Sequence, residues 1–444
     1  MKIHFIGIGG IGASGLAGFC LSKGHEVSGS DLSDSQIIKA LKKQGAKIFV
    51  GPHDSANLTN RVDLVVYTAA ATPDNPELKK AKKLGIKCQS YAEALGDLTK
   101  RMFTIAVSGM HGKSTTTAML ALVLEKAGLD PTVIVGTRLR EWGNRNFRVG
   151  KSKYLVIEAD EYNASFLNYW PQIIVLTNIE EEHLDYYKDL KHIMAVFKKY
   201  VSHLRKGGVL VANGDDSNIS KLEFQNAKPQ FKIQNYSMKQ LEFERLGKVL
   251  KVTGEHNISN ALAVLTVARI LKIPDKITYG ALSRFRGTWR RMEYKGLVNG
   301  AKIYDDYGHH PTEIKATLRG TRESLKNGRL WIIFQPHQYQ RTYKLFNQFA
   351  NAFNDADRVI LLPIYSVAGR ERESIKKKVS SEKLIDAMHK LIPGRRREIL
   401  CADSFQRTKD YLKKELRKND ICIIMGAGDA YKLTELLVKG GKAK

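Results

Sequence analysis

The chain has 444 residues and is poor in cysteine. Its four cysteines, Cys20, Cys88, Cys401 and Cys422, are scattered with no Cys-x-x-Cys pair, which argues against a disulfide framework and a zinc site and points to a reducing compartment. Long apolar runs are missing, so no membrane span is expected. The N-terminus opens directly into a strand pattern and lacks the charged region, apolar core and cleavage site of an export signal. A soluble, cytoplasmic protein is expected. Acidic residues are scarce: 45 Asp and Glu face 72 Lys and Arg, giving a net charge of +27. Such a field favours polyanions. The basic residues are nevertheless spread through 39–47, 79–87, 188–206, 376–378 and 395–397, mostly beside expected helices and without an aromatic-interleaved strip. This pattern reads either as a solvated basic surface or as help in attracting phosphorylated substrates, with no specific nucleic-acid partner.

The length suggests roughly three domains. There is no repeat and no low-complexity linker. Residues 2–6 read as a strand, 11–23 as a helix and 26–30 as a second strand, the start of a βαβ unit. Between the first two, Gly7-Ile8-Gly9-Gly10-Ile11-Gly12 fits the Gly-x-Gly-x-x-Gly fingerprint, with Ser30 and Asp31 closing the second strand where a ribose-binding acid would sit. Glycines and a helix N-terminus recognise only a pyrophosphate, so the fingerprint alone leaves open a nicotinamide dinucleotide or another nucleotide diphosphate. Asp31 either binds ribose or caps the next helix.

A second unit begins near residue 98. The apolar strand 103–107 runs into Ser108-Gly109-Met110-His111-Gly112-Lys113-Ser114-Thr115 and then a helix over 115–127, the setting of a nucleotide triphosphate loop. Gly109 and Gly112 let backbone amides turn toward phosphate, Lys113 supplies a point charge, and Ser114 can reach a magnesium ion. Val107 stands where the strict motif has Gly, so this is the shorter form. Strands over 154–157 and 173–176 end in Glu158-Ala159-Asp160-Glu161 and in Asn178 to His183, and ligands of open α/β sheets collect at such carboxyl ends. A helix follows to about 204, then a strand over 209–212. Helical pattern returns over 257–271. A third unit is expected from strands 302–304, 330–334, 358–362 and 421–425 with intervening helices.

These motifs, with Asp74 to Glu77, Ala164 to Phe166, Asp185, Gly254 to Asn257 with Asn260, Phe285 to Arg291, Asp305 to Pro311, Phe334 to His337 with Arg341, and Gly426 to Asp429, make the chain resemble the Mur ligase family nearly end to end. The resemblance implies three consecutive α/β domains: a Rossmann-like UDP-sugar domain over 1–98, a P-loop ATPase-type mostly parallel sheet over 99–286, and a Rossmann-like ligase domain over 287–444. It implies a UDP-sugar site and no nicotinamide at Gly9, Gly10, Ile11, Gly12, Ser30 and Asp31. It further implies that ATP phosphorylates the lactyl carboxylate of UDP-N-acetylmuramate and that L-alanine displaces the phosphate, as in the first amino-acid-adding branch. A branch that attaches a preformed tripeptide is the alternative. Gly109 to Thr115, Asn257, Asn260, Arg291 and Asp305 would bind ATP. Magnesium would sit on Ser114, Glu158 and His183. Lys113, His183, His309, His310 and Arg341 would serve catalysis, with His309 and His310 undivided between contact with substrate and orientation. A monomer or weak homodimer is expected. Four positions depart from the usual pattern: Met110 and Ser114 for Thr, Gln338 for Arg, and Trp289 for Gly. With Arg341 left as the surviving guanidinium, a weaker or rearranged contact to the substrate carboxylate is expected at Gln338.

Overall fold

The computed structural model describes residues 1–183, 186–222, 230–367, 373–391 and 398–438. Asp185 and the basic run 395–397 lie outside them. The chain forms two compact units: 1–182, 189–250 and 259–285 make the first, and 183–188, 251–258 and 286–444 the second.

The first unit contains two sheets. β1 (Lys2–Ile6), β2 (Glu26–Asp31), β3 (Lys47–Val50), β4 (Leu64–Tyr67) and β5 (Lys87–Ser90) pair in parallel in the order β3-β2-β1-β4-β5, the doubly wound arrangement expected of a Gly-rich βαβ start. Behind this sheet lies a buried polar group. His4 Nε2 and Ser30 Oγ lie 2.9 and 2.7 Å from Glu77 Oε2, and Asn57 Nδ2 donates to Oε1 at 3.0 Å.

The second sheet consists of β6 (Phe103–Ser108), β7 (Thr132–Leu139), β8 (Arg145–Arg148), β9 (Tyr154–Glu158), β10 (Ile173–Leu176), β11 (Val209–Asn213) and β12 (Lys232–Tyr236), in the order β12-β11-β10-β6-β9-β7-β8. β6, β9 and β10 are near-continuous apolar strands covered on both faces, the composition a parallel sheet requires. β7 and β8 form an antiparallel hairpin at the sheet's edge. This hairpin packs on the helix Ile11–Ser22 of the first sheet. A Cβ on Gly18 would lie 2.1 Å from Phe147 Cζ, so only glycine lets helix and ring approach this closely.

The second unit is built on one sheet. β13 (Glu293–Val298), β14 (Ala301–Asp306), β15 (Leu330–Phe334), β16 (Arg358–Leu361), β17 (Glu398–Cys401) and β18 (Ile421–Met425) follow the order β13-β14-β18-β15-β16-β17, parallel except for the β13–β14 pair. Apolar side chains of Leu330, Ile332 and Phe334 fill one face, and those of Trp331, Ile333 and Ile424 the other.

The long parallel strands and their helices fall where the apolar periodicity places them. β8, β13 and β17 carry no such signal: β8 reads Arg-Asn-Phe-Arg and β17 Glu-Ile-Leu-Cys, too short to reveal alternation.

Candidate active site

Between β6 and the helix Lys113–Lys126 the chain turns through Gly109 (φ 133°) and Gly112 (φ 83°), conformations an L side chain rarely adopts. At Gly112 there is also no space: a Cβ would sit 2.5 Å from Asn260 Oδ1. The loop is braced from β10, where Asn178 Oδ1 accepts from His111 N at 2.8 Å and Thr177 Oγ1 donates to His111 O at 2.7 Å. His111 Nε2 pairs with Glu180. Lys113 Nζ folds over this loop, donating to Gly109 O at 2.7 Å and to Glu161 at 2.8–3.0 Å. Burial opposes its charge, but Glu161, Asp160 and Glu158 outweigh burial and raise its pKa.

Ser114, in the first turn of the helix, donates to both Glu158 oxygens at 2.9 and 3.0 Å, and Gly136 N of β7 donates to Glu158 Oε2 at 2.7 Å. Burial raises the Glu158 carboxyl pKa against the pull of Lys113. The structure thus brings Gly109, Met110, His111, Gly112, Lys113, Ser114, Thr115, Glu158 and Asn260 to one end of the second sheet. A serine hydroxyl and a carboxylate in contact are hard oxygen donors of the kind magnesium takes, and a carboxylate disfavoured by burial gains from a cation.

In the first sheet, Gly9, Gly10, Ile11 and Gly12 lead into the helix Ile11–Ser22. Asp31 does not cap the helix Gln36–Lys43, a task done by Ser35; its Oδ2 instead accepts from Gly9 N at 2.9 Å. Ser30 points inward to Glu77. Tyr91, unremarked in the sequence, lays its ring on Gly12.

The remaining candidates belong to the second unit. His183 has φ 52°, and its carbonyl accepts from the Tyr186 and Tyr187 amides, both at 2.9 Å. Asn257 Nδ2 donates to Thr253 O at 2.7 Å. Arg290 and Asp305 are a buried pair at 3.2 Å, and the guanidinium also lies over Tyr431 and Tyr307 and donates to Gly426 O at 2.5 Å. Asp305 is therefore held by Arg290. Arg291 remains half-exposed and is gripped by Glu313 at 2.8 Å, close to the Tyr307 ring.

Glu313 is a further residue that the sequence motifs do not single out. One carboxylate accepts from Arg291 Nη1, from His309 N at 2.9 Å and from His310 N at 3.3 Å. The available signal was its place three residues after His310, the spacing of a capping box. His310 is buried, and its Nδ1 accepts from Thr312 N at 3.3 Å as the cap of the helix Pro311–Ser324. His309 faces Tyr307 and His337, with ring centroids 5.6 and 6.1 Å away. Arg341 Nη1 lies 3.2 Å from both His337 Nδ1 and His337 O, and His337 stacks on Tyr365. Gln338 is buried at φ 72°, and its amide donates to Tyr365 O at 2.9 Å. Among the described residues no helix is long and apolar enough to cross a membrane.

Comparison with known proteins matches the Mur ligase family catalytic domain to residues 2–102, the Mur ligase middle domain to 107–268 and the Mur ligase glutamate ligase domain to 290–428. A UDP-N-acetylmuramate–L-alanine ligase of Acetivibrio thermocellus is 41% identical over 461 residues, covering 98% of this chain and 95% of its own. The solved UDP-N-acetylmuramate-alanine ligase of Thermotoga maritima superposes with a TM-score of 0.80 at 27% identity, covering 99% of this chain and 98% of its own. A murein peptide ligase of Psychrobacter arcticus gives a TM-score of 0.71 at 25% identity over the full length of both chains. Similar along nearly its whole sequence and in the three-sheet α/β fold, the chain belongs to the Mur ligase family.

Proposed function

We propose that this chain joins L-alanine to the lactyl carboxylate of UDP-N-acetylmuramate at the expense of ATP, a step of peptidoglycan precursor synthesis in the cytoplasm. The single observation that supports this reading best is the match over 98% of the chain, at 41% identity, to a ligase named for that reaction. In the order of the sequence, residues 1–98 hold the UDP-sugar, 99–286 the ATP, and 287–444 complete the ligase site.

The chemistry brings two anions together. A lactyl carboxylate oxygen attacks the γ-phosphorus of ATP, the bond to ADP breaks, and an acyl phosphate forms. The alanine ammonium gives up a proton, the free amine attacks the acyl carbon, phosphate leaves, and the nitrogen loses a second proton to become the amide. Lys113 and the loop amides from Gly109 to Thr115 neutralise the β and γ phosphates. Asn260, against Gly112, and Asn257 serve the adenosine side. Magnesium held by Ser114 and Glu158 would screen the charge between phosphate and carboxylate. Arg291, held by Glu313, supplies a guanidinium suited to a phosphate group, while Asp305 is held by Arg290. Of the two histidines, the buried cap His310 is the anchor. His309, beside His337 and Arg341, is the one presented to the amino acid.

Phosphate release by the purified chain with ATP, magnesium and UDP-N-acetylmuramate, each amino acid being added in turn, tests the reading. Release that requires the sugar nucleotide and is largest with L-alanine is expected. Release only with a tripeptide moves the chain to the peptide-adding branch.

A further inference from the structure

The loop that would hold the pyrophosphate of the sugar nucleotide belongs to the first sheet, and the groups that would hold ATP and magnesium to the second. The β7–β8 hairpin touches both. On β7, Gly136 N donates to Glu158 Oε2 at 2.7 Å. On β8, the buried Asn146 side chain donates to Ile11 O and to Ser14 Oγ, the latter at 3.0 Å, in the first turn of the helix that follows the Gly-rich loop. Ser14 Oγ in turn donates to Ile11 O at 3.0 Å. Phe147, the next residue, sets the tip of its ring against Gly18 one turn further on, and Ile134 of β7 reaches Gly15.

A helix N-terminus binds a pyrophosphate through amides of its first turn, and those amides are useful only if the turn is fixed in place. Asn146 is well suited to fix it. The amide nitrogen has two acceptors, both in that turn, and the bond to Ser14 is buried and that to Ile11 part-buried, so their geometry is well defined. Nothing in the reaction needs Asn146 to touch substrate.

We propose that Asn146 is a positioning residue for the sugar nucleotide, locking the first turn of the helix Ile11–Ser22 to the hairpin that also holds Glu158. This rests on the ligase reading above. Losing the amide frees the turn without altering any group that contacts ATP. The effect is therefore expected in the affinity for one substrate only.

The test measures the full chain carrying Asn146→Ala and Asn146→Asp. For Asn146→Ala, KM for UDP-N-acetylmuramate rises by about tenfold, as for a lost pair of buried hydrogen bonds, while KM for ATP and kcat stay within about twofold. Asn146→Asp, which sets a carboxylate against the Ile11 carbonyl, gives a larger rise in the same constant. Calorimetric titration with UDP-N-acetylmuramate in the absence of ATP reproduces the weakening even where turnover is hard to measure. An unchanged sugar-nucleotide affinity in Asn146→Ala, or an equal loss toward ATP, overturns the proposal. If the wild-type chain shows no activity and no binding of the sugar nucleotide, it is the ligase reading that fails.

Discussion

Two loops in this molecule are built by the same local rule and surrounded by opposite chemistry. Gly7–Gly12 and Ser108–Gly112 each leave a buried parallel strand, turn through positive-φ glycine and start a helix whose first amides are free for phosphate. Around the first, the nearest charge is Asp31, spent on the Gly9 amide of the loop itself. Around the second stand Lys113, Glu158 and Glu161, with the Ser114 hydroxyl between them. On the proposed function, the difference separates holding a phosphate from reacting it. Amides and a helix terminus suffice to bind a pyrophosphate that stays intact. Transfer requires mobile countercharge beside the bond that breaks.

Removing the charge from the second loop is the most direct way to erase the contrast. Lys113→Ala leaves a loop of amides like the first, and kcat for phosphate release is expected to fall by about 10³-fold. UDP-N-acetylmuramate binding, measured by calorimetry, stays within about twofold.

The two regions also use buried acids differently, and Glu77 sharpens this. Burial alone would push its carboxyl up, but hydrogen bonds from His4, Asn57 and Ser30 overcome burial and hold it down to about 2. Its folded pKa is depressed, so its stabilisation is present above the unfolded value near 4.5 and is lost as pH falls through 4.5 toward 2. Glu77→Gln is expected to cost about 2 kcal/mol at pH 7 and to flatten the denaturation midpoint across that acidic window. Urea titrations of both proteins check it. Unlike Lys113, Glu77 governs folding of its sheet, and kcat per folded molecule is unaffected.

The smallest expected effect is at Met110. If the second loop holds phosphate through its backbone, Met110→Thr changes KM for ATP by less than about twofold. A larger change, read from initial rates, would give the side chain a part in the contrast.

Much of this arrangement is legible in the residues. The Lys113–Ser114 pair and the acids ending β9 declare themselves because strand, loop and helix lie next to one another in sequence. The partners that aim these groups do not. Asn146 meets Ile11 across 135 residues, and its own strand, Arg-Asn-Phe-Arg, has too few apolar positions to be seen. The placement of Asn260 against Gly112 depends on the packing of the helix Glu255–Ile270 against a loop about 150 positions earlier. His309 and His310 look equivalent in the sequence. They diverge only when helix formation claims one imidazole as a cap and leaves its neighbour facing His337.

The hairpin also sets a length. Because it joins the helix behind Gly7–Gly12 to the carboxylate beside Ser114, the span between the two loops belongs to the protein and not to whatever enters it. On the proposed function, the pair of loops would work as a gauge: an acid one carbon too short, with its diphosphate seated, would stop before the phosphoryl group, and one too long would overshoot. Selection by reach needs no contact with the middle of the substrate, which leaves the sugar between the loops open to chemical variation.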